Sequence, residues 1–373
     1  MTTWKIGIIG AGKIGVALAD LLAQTDDYSV IILDRDQAAL DRVGNAETQC
    51  LDVSDETTLT KALEPLDAVI SAAPFFLTPV IAEAAKKART HYFDLTEDVA
   101  STQAVHRLAA ESETVFAPQC GLAPGFVSIA AHDLAQQFDK LDNLRLRVGA
   151  LPRYPTNRLK YNLTWSTEGL INEYCNPCLA IEDGKPVEVA PLEGLETFSL
   201  EGAEFEAFNT SGGLGSLHET LSGKVQSLRY LSIRYPGHRD IIAMLLEDLG
   251  LKQRRDLLKD VMETALATTR QDFVMVFITA TGEIAGRHEE RSYLNKIHAA
   301  QINGTLWSAI QITTSAGVCA SLDLVRNGVL PQRGFIKQEQ IPLDAFLSNR
   351  FGRLYQGDTR LDDNNNTNLL AAE

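Results

Sequence analysis

The stretch IGIIGAGKIG at residues 6–15 constrains the fold of this chain more than any other part of it. An apolar strand pattern leads directly into Gly10, Gly12 and Gly15, and a helical pattern follows. In a dinucleotide-binding turn the first glycine permits the bend, the second lets the pyrophosphate approach, and the third lets the helix pack. The pyrophosphate then lies at the helix N-terminus, where unpaired amides attract anions. The stretch therefore predicts a nucleotide-binding βαβ unit.

Short apolar runs alternate with helical patterns over residues 1–125. Strands separated by helical stretches of roughly 10–15 residues predict βαβ units with right-handed crossovers, and hence a doubly wound parallel sheet of the Rossmann type. The predicted strands are 5–10, 29–34, 46–53, 67–73, 91–95 and 114–120. The predicted helices between them are 13–24, 77–89 and 99–112.

The pattern changes after residue 125, and a chain of 373 residues is long enough for two domains. Residues 126–312 combine helical and strand-like segments and predict an α+β domain with a mixed sheet, for substrate binding and oligomerisation. Within it, LKYNLTWS at 159–166 is interpreted as a strand. Helical spacing returns at 313–328, where we expect a helix that lies back against the first domain, and 329–373 forms a C-terminal segment with a polar tail.

The composition narrows the classes of partner. The net charge of −15, from 34 basic and 49 acidic residues, argues against nucleic acid as a ligand. The sequence has no apolar run of about 18 residues, and five cysteines form no disulfide framework. We expect a cytoplasmic protein, with a homodimer as the prior for its oligomeric state.

Asp34 ends the second predicted strand and indicates which dinucleotide is bound. A carboxylate there accepts hydrogen bonds from the ribose hydroxyls of NAD and repels the 2′-phosphate of NADP. Arg35 could still bind that phosphate, so NAD is favoured and NADP stays open. Other predicted contacts lie in the turn or at strand ends, where an ordinary turn is the alternative. The predicted cofactor residues of this part of the chain are Gly10, Gly12, Lys13, Ile14, Gly15, Asp34, Arg35, Asp52, Val53, Ala72, Ala73 and Pro74.

Several segments of the second half occur together, in order, in one known family. They are GLAPG (121–125), LPRYPTNRLKYNLTWSTEGLINEY (151–174), FEAFNTSGGLGSLHETL (205–221) and LRYLSIRYPGH (228–238). With them the chain resembles the saccharopine dehydrogenase family, which includes glutamate-forming saccharopine dehydrogenases and lysine 6-dehydrogenases. The resemblance extends to about residue 340, and Gly121, Ala123 and Pro124 of the GLAPG turn join the expected cofactor site.

The resemblance implies oxidation of a C–N bond on the lysine skeleton. Hydride would pass from C6 to NAD(P)+, and the imine would be hydrolysed to 2-aminoadipate 6-semialdehyde. Saccharopine would release glutamate, and lysine would release ammonia. Saccharopine enzymes typically carry GLDPG and an Asn-Arg-Asp-Ser run. This chain instead has Ala123 in GLAPG and Asn-Thr-Ser-Gly at residues 209–212, and both differences favour lysine as the substrate. The basic residues Arg153, Arg158 and Lys160 favour saccharopine with its three carboxylates, so both substrates stay open.

The substrate site is expected to draw on residues that also have structural interpretations. Lys160 is predicted to clamp a carboxylate or, if desolvated, to act as the base. Tyr161 and Trp165 would share a strand face and line the substrate methylenes, or else pack in the core. Polar contacts from the 209–211 turn have local side-chain bonds as their alternative. The full set of predicted substrate contacts is Phe75, Lys160, Tyr161, Trp165, Asn209, Thr210 and Ser211.

CNPC at residues 175–178 is the one motif that suggests a metal or a redox pair. No second CxxC accompanies it, so packing or a turn is the better interpretation, and no metal site is predicted. Two further hypotheses stay open for the whole chain. One is a carboxynorspermidine-type dehydrogenase, and the other is a non-catalytic NAD-binding protein.

Overall fold

The computed structural model describes residues 2–44, 46–302 and 304–357. They form two compact units: unit 1 contains the residues up to 126 and from 311 onward, and unit 2 contains residues 127–310. The C-terminal segment predicted from residue 329 is therefore, in its described part, a portion of unit 1. None of the described helices combines the length and hydropathy that crossing a membrane requires.

Unit 1 is built on a sheet of seven strands that are all parallel. The strands are β1 (Trp4–Ile9), β2 (Tyr28–Asp34), β3 (Glu47–Cys50), β4 (Ala68–Ser71), β5 (His91–Asp94), β6 (Val115–Ala117) and β17 (Gly334–Phe335). Their order is β17-β6-β5-β4-β1-β2-β3. Apart from β17 this is the strand order of a dinucleotide-binding Rossmann fold, with the order reversing between β1 and β4. The predicted doubly wound sheet is confirmed.

Five helices of unit 1 connect its first six strands in sequence, one precedes β17 and one follows it. They are α1 (Lys13–Leu22), α2 (Gln37–Leu40), α3 (Glu56–Leu63), α4 (Thr78–Ala88), α5 (Val99–Ala109), most of α11 (Ala309–Arg326) and α12 (Leu343–Ser348). Asp36, Asp55 and Asp98 accept backbone N–H groups at the N-termini of α2, α3 and α5, which is the bonding these helix ends require. Helices α2 and α3 were not predicted from the sequence.

Charged side chains attach the C-terminal segment to the start of β2. The carboxylate of Asp323 accepts hydrogen bonds from the Tyr28 hydroxyl and from Arg350, both at 2.6 Å. Arg350 also donates to Asp27 at 2.7 Å. Because Asp323 is buried, its hydrogen bonds offset the cost of removing its charge from water. These bonds explain why the last described residues pack as part of unit 1.

Unit 2 contains an eight-stranded mixed sheet and a separate two-stranded hairpin. In the large sheet β7 and β12 are parallel, while the other pairs are antiparallel, so the predicted mixed sheet is confirmed. The strands of the large sheet are β7 (Lys140–Pro152), β8 (Cys178–Glu182), β9 (Lys185–Val189), β10 (Glu196–Leu200), β11 (Ala203–Asn209), β12 (Val225–Arg234), β13 (Asp272–Ile284) and β14 (Arg287–His298). The hairpin consists of β15 (Ala300–Ile302) and β16 (Thr305–Trp307).

The helices of unit 2 are short, and they pack a second core against the sheet. They are α6 (Phe126–Ala135), α7 (Thr167–Cys175), α8 (Leu217–Leu221), α9 (His238–Ala243) and α10 (Arg255–Ala265). The strand predicted at residues 159–166 is wrong: only Leu163 makes an isolated bridge, to Thr268. Lys160 has φ of 52°, a left-handed conformation that an extended strand does not contain.

Candidate functional site

The glycine turn of unit 1 lies between β1 and α1, and each glycine in it has a separate geometric role. Gly10 has φ of 110°, a backbone conformation that residues other than glycine rarely adopt. A Cβ on Gly15 would lie 1.8 Å from the Gly10 carbonyl oxygen, so the helix can approach the turn only with glycine there. A Cβ on Gly12 would meet no atom within 4 Å. Packing therefore requires Gly10 and Gly15, whereas Gly12 leaves bare backbone facing open space.

The N-terminus of α1 is suited to binding an anion. Its N-cap is Gly12, no side chain caps the helix, and its first turn contains no acidic residue. The amides at this end are consequently available to a ligand, and the helix dipole adds partial positive charge. Together with the open face of Gly12, this arrangement fits the pyrophosphate of a dinucleotide.

Asp34, at the carboxyl end of β2, is tied directly to the glycine turn. One carboxylate oxygen accepts the Ala11 amide at 2.7 Å, and the other accepts the Asp36 amide at 2.9 Å. The side chain is half-buried, so it keeps a face toward solvent. Two backbone donors thus orient a carboxylate beside the turn, where the prediction requires an acceptor for ribose hydroxyls.

The other predicted cofactor residues of the N-terminal half follow neighbouring strands. Ala72, Ala73 and Pro74 follow β4, and the Ala72 amide donates to the Ile9 carbonyl, which brings this turn against the end of β1. Asp52 accepts from the backbone and hydroxyl of Ser54, and this hydrogen bonding lowers the pKa of its carboxyl. Val53 packs in the core, so only its backbone could face a ligand. Lys13 and Arg35 are exposed, and Ile14 is half-buried.

The GLAPG turn follows β6 at the same edge of the sheet. The Phe126 amide donates to the Gly121 carbonyl, and a Cβ on Gly125 would lie 2.1 Å from that oxygen. Gly317 of α11 packs against the turn, since a Cβ there would lie 2.9 Å from the Gly121 carbonyl oxygen. Of the five turn residues, Ala123 alone is not fully buried. The turn is rigidly packed and presents little more than Ala123 to a ligand.

Two carboxyl groups near the end of β5 were missed by the sequence analysis. Asp94 is buried and accepts the amides of Thr96 and Gln119 and the Tyr92 hydroxyl. Burial raises its pKa to about 6. Burial, together with the carboxylates of Asp98 and Asp94, raises the pKa of Glu97 to about 7. The signal was available in the sequence, because Asp94 is the next-to-last residue of the predicted strand 91–95 and so lies near the same sheet edge as Asp34.

Phe75, the predicted substrate contact in unit 1, begins a short 3₁₀ turn that follows Pro74. Phe75 is half-buried, and its ring packs edge-on against Phe76 at 5.9 Å. Phe76 is 60% exposed, which is unusual for so large an apolar ring. Phe75 was predicted as a substrate contact from the sequence, whereas the more exposed Phe76 was not.

Lys160 lies in an irregular segment of unit 2 with its ammonium group at the surface. Its Nζ donates to the Pro236 carbonyl at 3.1 Å, and its backbone amide donates to the Asn157 carbonyl at 3.0 Å. The Asn157 side chain also bonds both backbone groups of Tyr161. An exposed ammonium with N–H groups to spare suits a carboxylate clamp better than a desolvated base.

Tyr161 and Trp165 do not form the predicted shared face. The Tyr161 ring is 1% exposed and lies in the core of unit 2, whereas Trp165 is only partly buried. The Tyr161 hydroxyl has no hydrogen-bond partner among the described residues. Core packing therefore accounts for the Tyr161 ring, and Trp165 is the member of the pair with a face toward solvent.

The NTS run at 209–211 is largely bonded within unit 2. The Thr210 hydroxyl pairs with that of Ser232 at 2.8 Å, and the Ser211 hydroxyl donates to the Pro177 carbonyl at 2.9 Å. Asn209 donates to the Ala190 carbonyl, but its side-chain oxygen has no partner among the described residues. Local bonding explains Thr210 and Ser211, which leaves Asn209 as the better candidate for a ligand contact.

The cysteines of CNPC are buried free thiols. Burial raises the pKa of Cys175, and it raises that of Cys178 to about 12, so neither thiol is activated at neutral pH. Across residues 2–44, 46–302 and 304–357, no three His, Cys, Asp or Glu side chains are grouped as metal ligands.

Comparison with known families gives two matches that together span most of the chain. Residues 6–119 match the saccharopine dehydrogenase NADP binding domain. Residues 121–354 match the saccharopine dehydrogenase C-terminal domain. The boundary between the matches falls at the GLAPG turn.

Two curated relatives are glutamate-forming, NADP(+)-dependent saccharopine dehydrogenases from yeasts. The Schizosaccharomyces pombe protein is 22% identical over 260 residues, 66% of this chain and 58% of that protein. The Saccharomyces cerevisiae protein is 27% identical over 200 residues, 50% of this chain and 44% of that protein. The matched regions thus span about half the length of these relatives.

A solved structure of apo saccharopine dehydrogenase (L-Glu forming) from Saccharomyces cerevisiae has the same fold. It superposes with a TM-score of 0.74 over 95% of this chain and 96% of that one. The sequence identity is 17%, so this likeness concerns the fold alone.

The separate roles of the glycines predict different outcomes for two alanine variants. Gly12→Ala should change the free energy of unfolding by no more than about 1 kcal/mol, because φ is −76° and space is open. Its affinity for the dinucleotide should fall by about tenfold or more. Gly15→Ala should be destabilised by about 3 kcal/mol through its clash with Gly10.

Urea unfolding and calorimetric titration with NAD+ measure the two effects separately. Gly44→Ala is the control, since its Cβ also meets no atom within 4 Å, and it should bind NAD+ as the wild type does. Unchanged NAD+ affinity in Gly12→Ala would contradict the assignment of this turn.

Proposed function

Because the chain belongs to the saccharopine dehydrogenase family, we propose that it is a dehydrogenase that oxidises the C–N bond at C6 of a lysine skeleton. The open backbone of Gly12 at the uncapped start of α1 carries the cofactor part of this proposal. The products would be 2-aminoadipate 6-semialdehyde and an amine.

NAD is the proposed cofactor, although the matching family model and the yeast relatives are described with NADP. Asp34 supports NAD, because its oriented carboxylate would repel a 2′-phosphate at the position where it can accept ribose hydroxyls. Exposed Arg35 supports NADP as the alternative. Residues of the glycine turn would hold the pyrophosphate, and Ala72 to Pro74 with Ala123 would lie along the rest of the dinucleotide.

Oxidation of an amine carbon requires the substrate nitrogen to be neutral, so a protein group or water must take a proton from it. The nicotinamide, when bound, supplies a hydride acceptor. Glu97 is a proposed proton acceptor, because a carboxyl whose pKa lies at about 7 exchanges protons readily at neutral pH. Its position after β5 lies at the sheet edge that carries the predicted cofactor contacts.

Saccharopine is the proposed substrate, since it carries three carboxylates and unit 2 presents three cations in one exposed loop. Arg153, Arg158 and Lys160 are all exposed. Lys160 is the proposed clamp, because its left-handed backbone and its bond to Pro236 hold the ammonium in one place. Trp165 and Asn209 are the proposed further contacts, through a partly exposed ring and an unpaired amide oxygen.

L-Lysine is the second candidate substrate. The GLAPG turn and the NTSG run differ from the motifs typical of saccharopine enzymes, and the hydroxyls of Thr210 and Ser211 are used internally. A site with fewer groups for carboxylates would suit the smaller amino acid, which would release ammonia.

We propose a homodimer in a reducing compartment such as the cytoplasm. The five free cysteines support the reducing compartment. The edge strands β10 and β14 of the larger sheet support self-association, because an edge strand can pair with another copy.

Turnover with purified protein tests the proposed reaction. NAD+ with saccharopine should give reduced nicotinamide together with equimolar glutamate and semialdehyde. Release of ammonia from lysine, with no turnover of saccharopine, would contradict the proposed substrate in favour of lysine. Turnover of neither amine with either dinucleotide would contradict the proposed function.

Lys160→Ala tests the proposed carboxylate clamp in the same assay. Loss of a clamp should raise the KM for saccharopine by about tenfold with little change in kcat. The exposed Lys185→Ala is the matched control and should leave both constants unchanged. A fall in kcat at constant KM would contradict the clamp and indicate a role in the chemistry.

Asp34→Ser tests the choice of dinucleotide. Removing the carboxylate should weaken NAD+ and relieve repulsion of the 2′-phosphate, so the ratio of the two dissociation constants should move toward NADP+ by about tenfold or more. Asp36→Ser is the matched control, since it removes a nearby charge and keeps an N-cap for α2. Equal loss of affinity for both dinucleotides in Asp34→Ser, measured by calorimetry, would contradict the role of Asp34.

A further inference from the structure

A chain of three hydrogen bonds runs through the core of unit 2 and ends beside Lys160. The Arg234 Nε lies 2.9 Å from the Tyr174 hydroxyl, and that hydroxyl lies 2.9 Å from His238 Nε2. His238 Nδ1 in turn lies 2.9 Å from the Leu159 carbonyl oxygen. All three side chains are buried, so the two bonds between side chains are shielded from water, and the bond to Leu159 is partly buried.

The groups at the two ends of this series of hydrogen bonds determine which group donates in each bond. A guanidinium only donates and a carbonyl only accepts. Arg234 therefore donates to Tyr174, Tyr174 donates to His238 Nε2, and His238 is the neutral tautomer that donates from Nδ1 to Leu159. Burial and the neighbouring guanidinium lower the pKa of His238 to about 3, which agrees with a neutral ring.

The same side chains also pack around Tyr161. The Arg234 guanidinium lies over the Tyr161 ring at 5.2 Å, and the His238 ring meets it nearly edge-on at 5.4 Å. Leu159 and Tyr161, which precede and follow Lys160 in the sequence, are thus both held by contacts with these side chains. Lys160 is a non-glycine residue at φ of 52°, a conformation that persists only where its surroundings hold it.

The turn that carries His238 is itself fixed from β11. The buried carboxylate of Glu206 accepts the Gly237 amide at 2.8 Å and the Arg239 amide at 2.7 Å. The Pro236 carbonyl of this turn accepts the Lys160 ammonium. The turn therefore contacts the Lys160 segment through both its backbone and its histidine.

We propose that His238, ordered by Tyr174 and Arg234, is a positioning residue that holds Lys160 in its left-handed conformation and so sets where the substrate carboxylate binds. This deepens the proposed function and rests on it for the identity of the ligand. The bond from Nδ1 to Leu159 is the part that acts on Lys160. The bond from Tyr174 orients the ring.

Two amide variants, each of which mimics one ring nitrogen, separate the two bonds of the ring. His238→Asn places an amide N–H near the position of Nδ1 and can still donate to Leu159, whereas His238→Gln reaches the position of Nε2 and cannot. We expect His238→Gln and His238→Ala to raise the KM for saccharopine by about tenfold, since the hydrogen bond to the Leu159 carbonyl is lost. His238→Asn should stay within about threefold of wild type. The KM for NAD+ should not change in any of them.

Hydrogen–deuterium exchange of the peptide covering 157–163, without substrate, gives a second measurement. It should rise in His238→Gln and His238→Ala and stay at the wild-type level in His238→Asn. Tyr174→Phe, which removes a single hydroxyl, should also raise the exchange of this peptide. It replaces the alanine variant in the test if that variant does not fold. This measurement needs no turnover, so an inactive wild type would count against the proposed function alone.

The proposal is overturned if exchange and KM stay at wild-type values in His238→Gln. It is also overturned if His238→Asn behaves as His238→Ala does, because the bond to Leu159 would then be irrelevant. A uniform loss of thermal stability in all variants, with no change in the KM for saccharopine, would give His238 a merely structural role and would likewise overturn it.

Discussion

The hydrogen bond from the Ala11 amide to the Asp34 carboxylate joins the two halves of the candidate cofactor site. It can form only because Gly10 bends at positive φ and Gly15 lets α1 approach the Gly10 carbonyl. The glycine turn therefore does more than leave room for a phosphate. It orients the carboxylate on the adjacent strand, so the groups proposed for the pyrophosphate and for the ribose form one rigid unit.

Unit 2 holds its candidate substrate segment by a different means. Residues 159–165 belong to no helix or regular strand, and their conformation depends on side chains contributed from elsewhere in the unit. The Asn157 side chain bonds the backbone of Tyr161, and His238 bonds the carbonyl of Leu159. The Pro236 carbonyl accepts the side-chain ammonium of Lys160. Backbone strain at a single residue, held by several hydrogen bonds from its surroundings, is a common property of functional sites.

The parts of the molecule that the sequence predicted are those encoded by local patterns. Strand and helix periodicity identified the parallel sheet, and the spacing of the glycines located the turn at its edge. Helix α3 was missed because Leu59 and Leu63 are its only buried residues, and β17 because two residues carry no period. The left-handed conformation of Lys160 lies beside the bond between His238 and the Leu159 carbonyl, which joins residues 79 apart in the chain, and no local pattern encodes such a pairing.

The central claim is that hydride leaves C6 of a lysine skeleton, and isotope transfer tests it most directly. Saccharopine carrying two deuterium atoms at C6 is incubated with the protein and NAD+, and the reduced dinucleotide is analysed by mass spectrometry. We expect one deuterium on the nicotinamide ring of each product molecule and glutamate released in equal amount. Reduced dinucleotide that contains no deuterium, formed from the labelled substrate, would contradict the account.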